Sequence, residues 1–444
     1  MNRRLNILII YTSNQYPMRI TLWDQLYSFR HYSDHNCFYL NLSVRRVPWY
    51  LKRIKFDLIV FGTLFLATRI VAEWFEPLRK KAQALKSLDA VKIAFPQDEY
   101  QYTDVLSGFI KEFDLDCVFS VAPESEWPRI YEDTGPGKPQ LYGVLTGYLN
   151  DATVERINRL AKTRRRRDID VGYRTWRAAP NLGRHGFLRQ QIADVFQAKA
   201  PGLGLVTDIS TRSEDTIWGD AWYEFLLNCK YTISVEGGAS MLDRDGSIKQ
   251  KTDAYLARHP GATFAEVEAA CFPGLDGTLE YTALSPRHLE ACATRTCQVL
   301  IEGKYNDVLV PGRHYIELKR DFSNIDEVLD LIKQDNARDE ITEVAYKEII
   351  ESGRYTNRHS VDFILEKSFS GLNAGKESTA SSATRGFFYY WMRMSDSLSW
   401  VQVALGFYSL GAQLKARLRR ILAALFSEQA TVSMLRWLRQ NRGK

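Results

Sequence analysis

Short, unbroken apolar runs alternate with helical stretches along most of the chain. "LNILIIY" (5–11), "CFYLNLS" (37–43), "FDLIVFGT" (56–63), "VKIAFPQDE" (91–99, apolar in its first half) and "CVFSVA" (117–122) have strand length. Between them lie helical stretches near "TLWDQLYSFR", over about 70–88 and at "VLSGFIKEF". Continuous apolar strands separated by helices are those of a parallel sheet covered on both faces. Residues 1–150 are therefore expected to form one doubly wound α/β domain. A helix over 151–162 then runs into "TRRRRDID" (163–170), whose four arginines read as a solvated linker within 151–167.

The pattern restarts after the linker. "DIDVGYR" (168–174), "GLVTDIS" (204–210), "YTISVEG" (231–237) and "CQVLIEG" (297–303) are strands. "HGFLRQQIADVFQA", "AWYEFLLNCK", "SPRHLEACATRT", "NIDEVLDLIKQD" and "ITEVAYKEIIES" are helices. A second Rossmann-like domain over 168–370 follows, so the fold class is α/β with two tandem doubly wound domains facing a cleft. Ligands of such sheets sit outside the carboxyl ends of the strands. "LNAGKESTASSATRG" (372–386) reads as a flexible linker. Beyond it, Val403, Phe407, Leu410, Leu414, Leu418, Ile421 and Leu425 recur at steps of three or four with Lys415, Arg419 and Arg420 off that face. This predicts a basic amphipathic helix in a tail over 371–444.

Charge sharpens the division. The tail carries eleven Lys/Arg against three Asp/Glu, net +8; the chain's +6 leaves −2 for residues 1–370. A slightly acidic body argues against nucleic acid as a partner, and the basic tail is expected to meet an anionic membrane surface. The six cysteines form no C-x-x-C pair and read as reduced core residues, which with the short apolar run at the N-terminus suggests a cytoplasmic protein.

Candidate chemistry lies after the strands. "GYRTWRAAPNLGRHG" (172–186) offers Arg174 and Arg184 before a helix, where arginine forks and a helix N-terminus favour phosphate. "SPRHLEA" (285–291) places Arg287 and His288 in the first turn after Ser285 and Pro286, with Glu290 a turn later. Asp98 and Glu99 in "PQDEYQYTD" would face them as general-base candidates toward an acceptor hydroxyl. Gly62-Thr63 and Arg69 in "GTLFLATR" would come near a ligand from the same side. "SVEGGASMLDRDGSI" (234–248) holds Glu236, Gly237 and Gly238 at a strand end, then Asp243-Arg244-Asp245. An Asp-x-Asp can clamp a divalent metal on a diphosphate. Here it stands beyond the strand and encloses an arginine. Glu236 and the glycines are thus expected to line the cleft, with the aspartates capping a helix or positioning substrate. No P-loop, H-E-x-x-H or G-x-S-x-G is present.

The stretch "SPRHLEACATRTCQVLIEGKYNDVLVPGRHYIEL", the Arg-rich loop before it, "VEGGASMLDRDGSI", "CFPGLDG" and "PQDEY" resemble GT-B glycosyltransferases, in particular the bacterial ones related to spore-maturation proteins. The resemblance covers about 50–365. It implies transfer of a sugar from a nucleotide-sugar donor to an acceptor hydroxyl, without a metal cofactor, in the assembly of bacterial surface glycan on a glycan or lipid-linked acceptor. It makes Arg174, Arg184, Arg287 and His288 diphosphate ligands and Glu290 the ribose ligand, and it suggests a peripheral location on the inner face of the membrane. One departure concerns stereochemistry: eight residues before Glu290, where many retaining members carry glutamate, stands Thr282. A non-catalytic nucleotide- or glycan-binding protein and a sugar-nucleotide epimerase on the same fold are the alternatives.

Overall fold

A computed structural model of the chain describes residues 4–15, 18–135, 137, 139–163, 166–370 and 383–404. The first half contains β1 (Asn6–Tyr11), α1 (Ile20–Tyr32), β2 (Asn36–Asn41), β3 (Leu58–Phe61), α2 (Thr63–Leu66), α3 (Ala72–Ala82), β4 (Val91–Ala94), α4 (Thr103–Phe113), β5 (Cys117–Ser120), α5 (Trp127–Ile130) and β6 (Gln140–Gly143). The six strands form one parallel sheet in the order β2-β1-β3-β4-β5-β6. Its central strands are buried on both faces, which is why their sequences do not alternate. β6, at the edge, is half-exposed and carries no such apolar run.

After α6 (Asp151–Lys162), the second half runs β7 (Ile169–Arg174), α7 (Gly183–Lys199), β8 (Thr207–Ser210), α8 (Asp220–Asn228), β9 (Cys229–Ser234), β10 (Gly237–Ala239), α9 (Ser247–Arg258), α10 (Phe264–Cys271), β11 (Tyr281–Ala283), α11 (Pro286–Ala293), β12 (Cys297–Ile301), β13 (Ile316–Leu318), α12 (Ile325–Gln334), α13 (Arg338–Ala345), α14 (Asn357–Phe369) and α15 (Ala383–Ala404). A second parallel sheet has the order β13-β12-β9-β7-β8. The strand order reverses between β7 and β9 here and between β1 and β3 in the first sheet, and the carboxyl ends at such switch points are where ligands bind. β10 and β11 form a separate antiparallel pair.

Three features depart from the sequence reading. The second domain was expected to run to 370, but α14 crosses back: Val361, Ile364 and Leu365 belong to the first domain's core. The crossing passes beside the outgoing connection, where Asn357 N–H donates to the Leu149 carbonyl at 2.8 Å and Leu149 N–H to the Tyr355 carbonyl at 2.9 Å. The β10–β11 hairpin also reaches the first core, through Ala239, Leu279 and Tyr281. Finally, α15 packs onto the first domain instead of standing off as a tail. Met392 is fully buried there, and Asp396 accepts from Tyr11 at 3.1 Å, Tyr27 at 3.2 Å and Arg30 at 3.3 Å. Most of the predicted amphipathic helix from Val403 to Leu425, and residues 372–382 of the expected linker over 372–386, lie outside the described residues; the linker's last residues, from Ala383, are instead the first turn of α15. Among the described residues no helix is long and apolar enough to cross a membrane. All six cysteines are buried and stand as thiols.

Candidate functional site: an arginine-lined cleft

The carboxyl ends of β7, β9 and β12 and the first turn of α11 form the second domain's side of the cleft. Arg287 sits at the second position of α11, half-buried, and its Nη1 donates to the Arg174 carbonyl at 3.0 Å. Burial pulls its guanidinium below the usual range, and Arg189 and Arg19 push the same way as like charges. Arg189 comes from α7 and Arg19 from the residue before α1, so both domains contribute cations. The Arg19 guanidinium lies over Trp218 at 5.1 Å and over Trp176 at 5.9 Å. Among the described residues no carboxylate stands within the 4.0 Å salt-bridge distance of Arg19, Arg189 or Arg287. Arg287 is desolvated, Arg189 half-buried and Arg19 exposed, and Glu290 is the carboxylate whose charge acts on Arg287. Clustered cations that make no ion pair constitute a site that gains when an anion enters.

Glu290, 6 % exposed, lies one turn on. Its Oε2 accepts from the Trp222 indole N–H at 2.8 Å, and Trp222 stacks on Phe225. Burial raises the Glu290 pKa, opposed by that hydrogen bond and by Arg287 and Arg19. No other hydrogen bond to the Glu290 carboxylate occurs among the described residues, so Oε1 keeps its acceptor capacity. Ser285 occupies the N-cap position with Pro286 after it, as expected, although its hydroxyl makes no capping bond.

Other residues singled out in the sequence are already engaged. Arg174 stands at the end of β7, but its Nη2 is held by Asp208 at 2.7 Å, its Nη1 donates to the Asp208 carbonyl at 2.9 Å, and its guanidinium stacks on Phe225. Arg184 is bound by Glu268 at 2.5 Å and Asp276 at 2.9 Å. His288 is fully buried, pushed down to about 4 by desolvation, and its Nδ1 meets Gln298 Oε1 at 3.0 Å. It is a neutral packing group against Tyr305, not a cation for phosphate. These three assignments rested on position after a strand or in a first helical turn; the partners that occupy them are distant in sequence.

Glu236 does not project into open space. Its Oε1 accepts from Tyr305 N–H at 2.7 Å and its Oε2 from Lys304 N–H at 3.2 Å. It thereby clasps the loop after β12, where Tyr305, Asn306 and Asp307 all have positive φ (47°, 52°, 56°). A Cβ at Gly303 would lie 2.3 Å from Glu236 Oε2, so only glycine fits that close approach. Gly237 and Gly238 form β10. Gly238 has φ +134°, and a Cβ there would meet the Tyr281 carbonyl at 1.9 Å. The glycines serve the hairpin rather than a ligand contact.

On the facing side, Asp98 is exposed at the end of β4's loop with φ 54°. Tyr100 OH donates to its Oδ1 at 3.0 Å. Arg69 does not reach into the cleft. It is 1 % exposed and spends its donors on the carbonyls of Leu66 (3.1 Å), Gln97 (2.8 Å) and Asp98 (2.7 Å), fixing the loop. Gly62 is the N-cap of α2, and the Thr63 hydroxyl donates to the Phe95 carbonyl at 3.0 Å. Glu99 is fully buried. It accepts from Ser120 Oγ at 2.8 Å, Val121 N–H at 3.1 Å, Tyr131 OH at 3.1 Å and Tyr281 OH. With four donors on its two oxygens and no exposure, Glu99 is a hub joining the hairpin to the first domain, and Asp98 alone of the pair is exposed.

The Asp-Arg-Asp run is a tie between the halves of the molecule. Asp243 receives Ile248 N–H at 3.1 Å and Lys249 N–H at 2.9 Å at the start of α9, and Asp245 receives Ser247 N–H at 2.9 Å. Arg244 bridges to Asp104 (3.1 Å), Glu132 (2.9 Å) and Asp133 (2.6 Å), all in the first domain. A backbone bridge pairs Gln101 with Asp243. Both aspartates are thus spent on backbone amides.

No family model and no curated relative matches the chain. Among solved structures it is similar to HepE of Anabaena in complex with UDP and glucose, at 10% identity over 83% of this chain and 100% of that one (TM-score 0.44). It is also similar to an α-glucosyltransferase in complex with UDP and a 13-mer DNA, at 10% identity over 82% and 99% (TM-score 0.44). Similarity to TarM, at 12% identity, covers 73% of this chain and 57% of that one (TM-score 0.39), so the chain matches little more than half of TarM's length. The two parallel sheets, facing across a cleft and rejoined by a returning C-terminal helix, have the GT-B arrangement. Sequence reasoning missed Arg19, Arg189 and Trp222. Only Arg19 left a signal, in that it follows a predicted strand and precedes a helix.

Proposed function

We propose that the protein is a glycosyltransferase that moves a sugar from a nucleotide-sugar to an acceptor hydroxyl, with the donor's diphosphate in the arginine-lined cleft. The observation that carries this reading is the cluster of Arg19, Arg189 and a desolvated Arg287, none of them in an ion pair among the described residues, at the carboxyl ends of the strands. Negative charge builds on the diphosphate as the glycosidic bond breaks, and fixed cations stabilise it most in the transition state. Glu290, oriented by Trp222, accepts hydrogen bonds from ribose hydroxyls through Oε1. Asp98, on the opposite wall, takes the proton of the acceptor hydroxyl. Arg174, Arg184, His288, Glu236 and Glu99 hold the walls in place.

Metal independence belongs to this reading. It is supported by the choice of arginines, not carboxylates, to meet the phosphates, and by the engagement of Asp243 and Asp245 with backbone amides. Action on bacterial surface glycan, kinship with the spore-maturation-related enzymes and a peripheral place on the inner membrane face extend the proposal. They are supported by the sequence resemblance and by the basic tail.

A thermal-shift panel of UDP, GDP, ADP and CDP, each with EDTA and with Mn²⁺, tests the reading. A ligand at 100 times its Kd stabilises by about 2.7 kcal/mol. One diphosphate that stabilises the protein in EDTA supports it. A shift that requires Mn²⁺ contradicts the metal-free site, and no shift with any nucleotide removes the donor assignment.

A further inference from the structure

The first domain contains a cavity of about 60 Å³ between the sheet and helices α1 and α14. It lies at the β1–β3 switch point, where the strands' carboxyl ends meet the cleft. Ile9, Val60 and Phe119 form its floor, and Leu26, Phe29 and Ile364 its walls. Its polar lining is largely spent. Ser28 Oγ donates to the Gln25 carbonyl at 2.9 Å, Thr63 Oγ1 to the Phe95 carbonyl, and Gln97 Nε2 to the Thr146 carbonyl at 2.8 Å. Tyr148 OH accepts from Leu145 N–H at 3.1 Å. Apart from the Gln25 amide and Gln97 Oε1, the rest of the lining is largely hydrocarbon. A mostly apolar lining suits a hydrocarbon chain better than a hydroxyl-rich sugar ring.

Gln97 lines this cavity, and Asp98 follows it at the cleft. We infer that the cavity receives an apolar chain attached to the acceptor, so that the hydroxyl at the chain's head is presented to Asp98 opposite the arginines. The acceptor class is then an amphiphile, a hydroxyl or sugar head on a hydrocarbon tail, rather than a free oligosaccharide. The identification as acceptor rests on the transferase reading; the apolar specificity rests on the cavity alone. The driving force is transfer of methylenes out of water, which raises affinity about fourfold for each methylene buried.

Calorimetric titration of the full chain with ethyl, butyl, hexyl and octyl β-D-glucosides, held below their micelle concentrations, tests this. Affinity is expected to climb by about fourfold per methylene until the cavity is full. The climb is expected to vanish in Gln25→Trp and in Leu145→Trp, two substitutions of half-buried lining residues that narrow the mouth. Using both guards against one failing to fold, and the melting midpoint of each identifies the one that has kept its structure. A flat series in the wild type overturns the inference, as does a climb that persists in a folded variant. UDP binding read in parallel separates the two claims. A flat glucoside series with UDP bound removes only the amphiphile, whereas a climbing series with no nucleotide bound removes only the donor reading.

Discussion

Replacing Glu99 with alanine removes one acceptor from four donors at once. Ser120 Oγ, Val121 N–H, Tyr131 OH and Tyr281 OH all converge on this carboxylate; burial raises its pKa, opposed by hydrogen bonds from Tyr281, Ser120 and Val121 and by the buried Arg69. Hydroxyls can turn to other acceptors, but the Val121 amide and the Arg69 charge cannot. Breaking one side of a buried charge arrangement costs about 3–5 kcal/mol, and an unsatisfied buried amide adds about 1–3 kcal/mol. The expected loss is therefore about 4–8 kcal/mol. It falls on the contact between hairpin and first domain, because Tyr281 belongs to β11. Urea denaturation followed by tryptophan fluorescence measures it. Glu99→Gln is the control: its amide oxygen still accepts from Ser120 and Val121 and its NH₂ donates to the Tyr281 oxygen, so a loss of only about 1–2 kcal/mol is expected. If Glu99→Ala unfolds at the wild-type urea midpoint, the hub reasoning is refuted. It is refuted equally if Glu99→Gln keeps full stability and nucleotide binding yet abolishes sugar transfer, since Glu99 would then be the base.

His288 and His185 both sit neutral in the folded protein, each pushed down to about 4 by burial. Unfolded, they titrate near 6.5, so their contribution is complete above that pH and is lost as pH falls toward 4, by about 3 kcal/mol each. Urea midpoints measured from neutral pH down to about pH 4.5 should fall, and less steeply in His288→Leu; an unchanged slope in that variant contradicts the assignment. Arg184→Ala should leave nucleotide affinity within about twofold of wild type, because Glu268 and Asp276 already hold its guanidinium. A tenfold loss by calorimetry would return it to the phosphate site. Glu290→Gln should raise the donor KM by roughly tenfold or more, the worth of hydrogen bonds to a charged group, with little change in melting temperature because the amide oxygen still accepts from Trp222. An unaltered KM would take Glu290 out of the ribose site.

The two-domain plan was legible because parallel strands buried on both faces must be written as unbroken apolar runs. The strands that escaped notice are those exempt from that demand. β6 and β13 are edge strands, β6 half-exposed and β13 only three residues long, and β10 and β11 are three-residue strands whose pairing joins Gly237 to Ala283 across an insertion. The return of α14 to the first domain left no local mark either, since an amphipathic helix does not say which core it faces. Position relative to the strands singled out Arg287, Glu290 and Asp98, on which the proposed function rests. It also drew in Glu99, Glu236, Arg174 and Arg184, whose partners are set by tertiary folding. The sequence shows which residues can bear charge. Whether a charge is spent or free, which separates Arg287 and Arg189 from Arg174 and Arg184, is decided by groups up to more than a hundred residues away.

The central claim is that Arg287, with Arg19 and Arg189, holds a diphosphate. Calorimetric titration of wild type and Arg287→Ala with the stabilising nucleoside diphosphate and its parent nucleoside, in EDTA, tests it most directly. The account predicts a loss of roughly 10- to 100-fold for the diphosphate, the worth of a charge-assisted contact, and little change for the nucleoside. Equal loss for both ligands, or no loss for either, would contradict it.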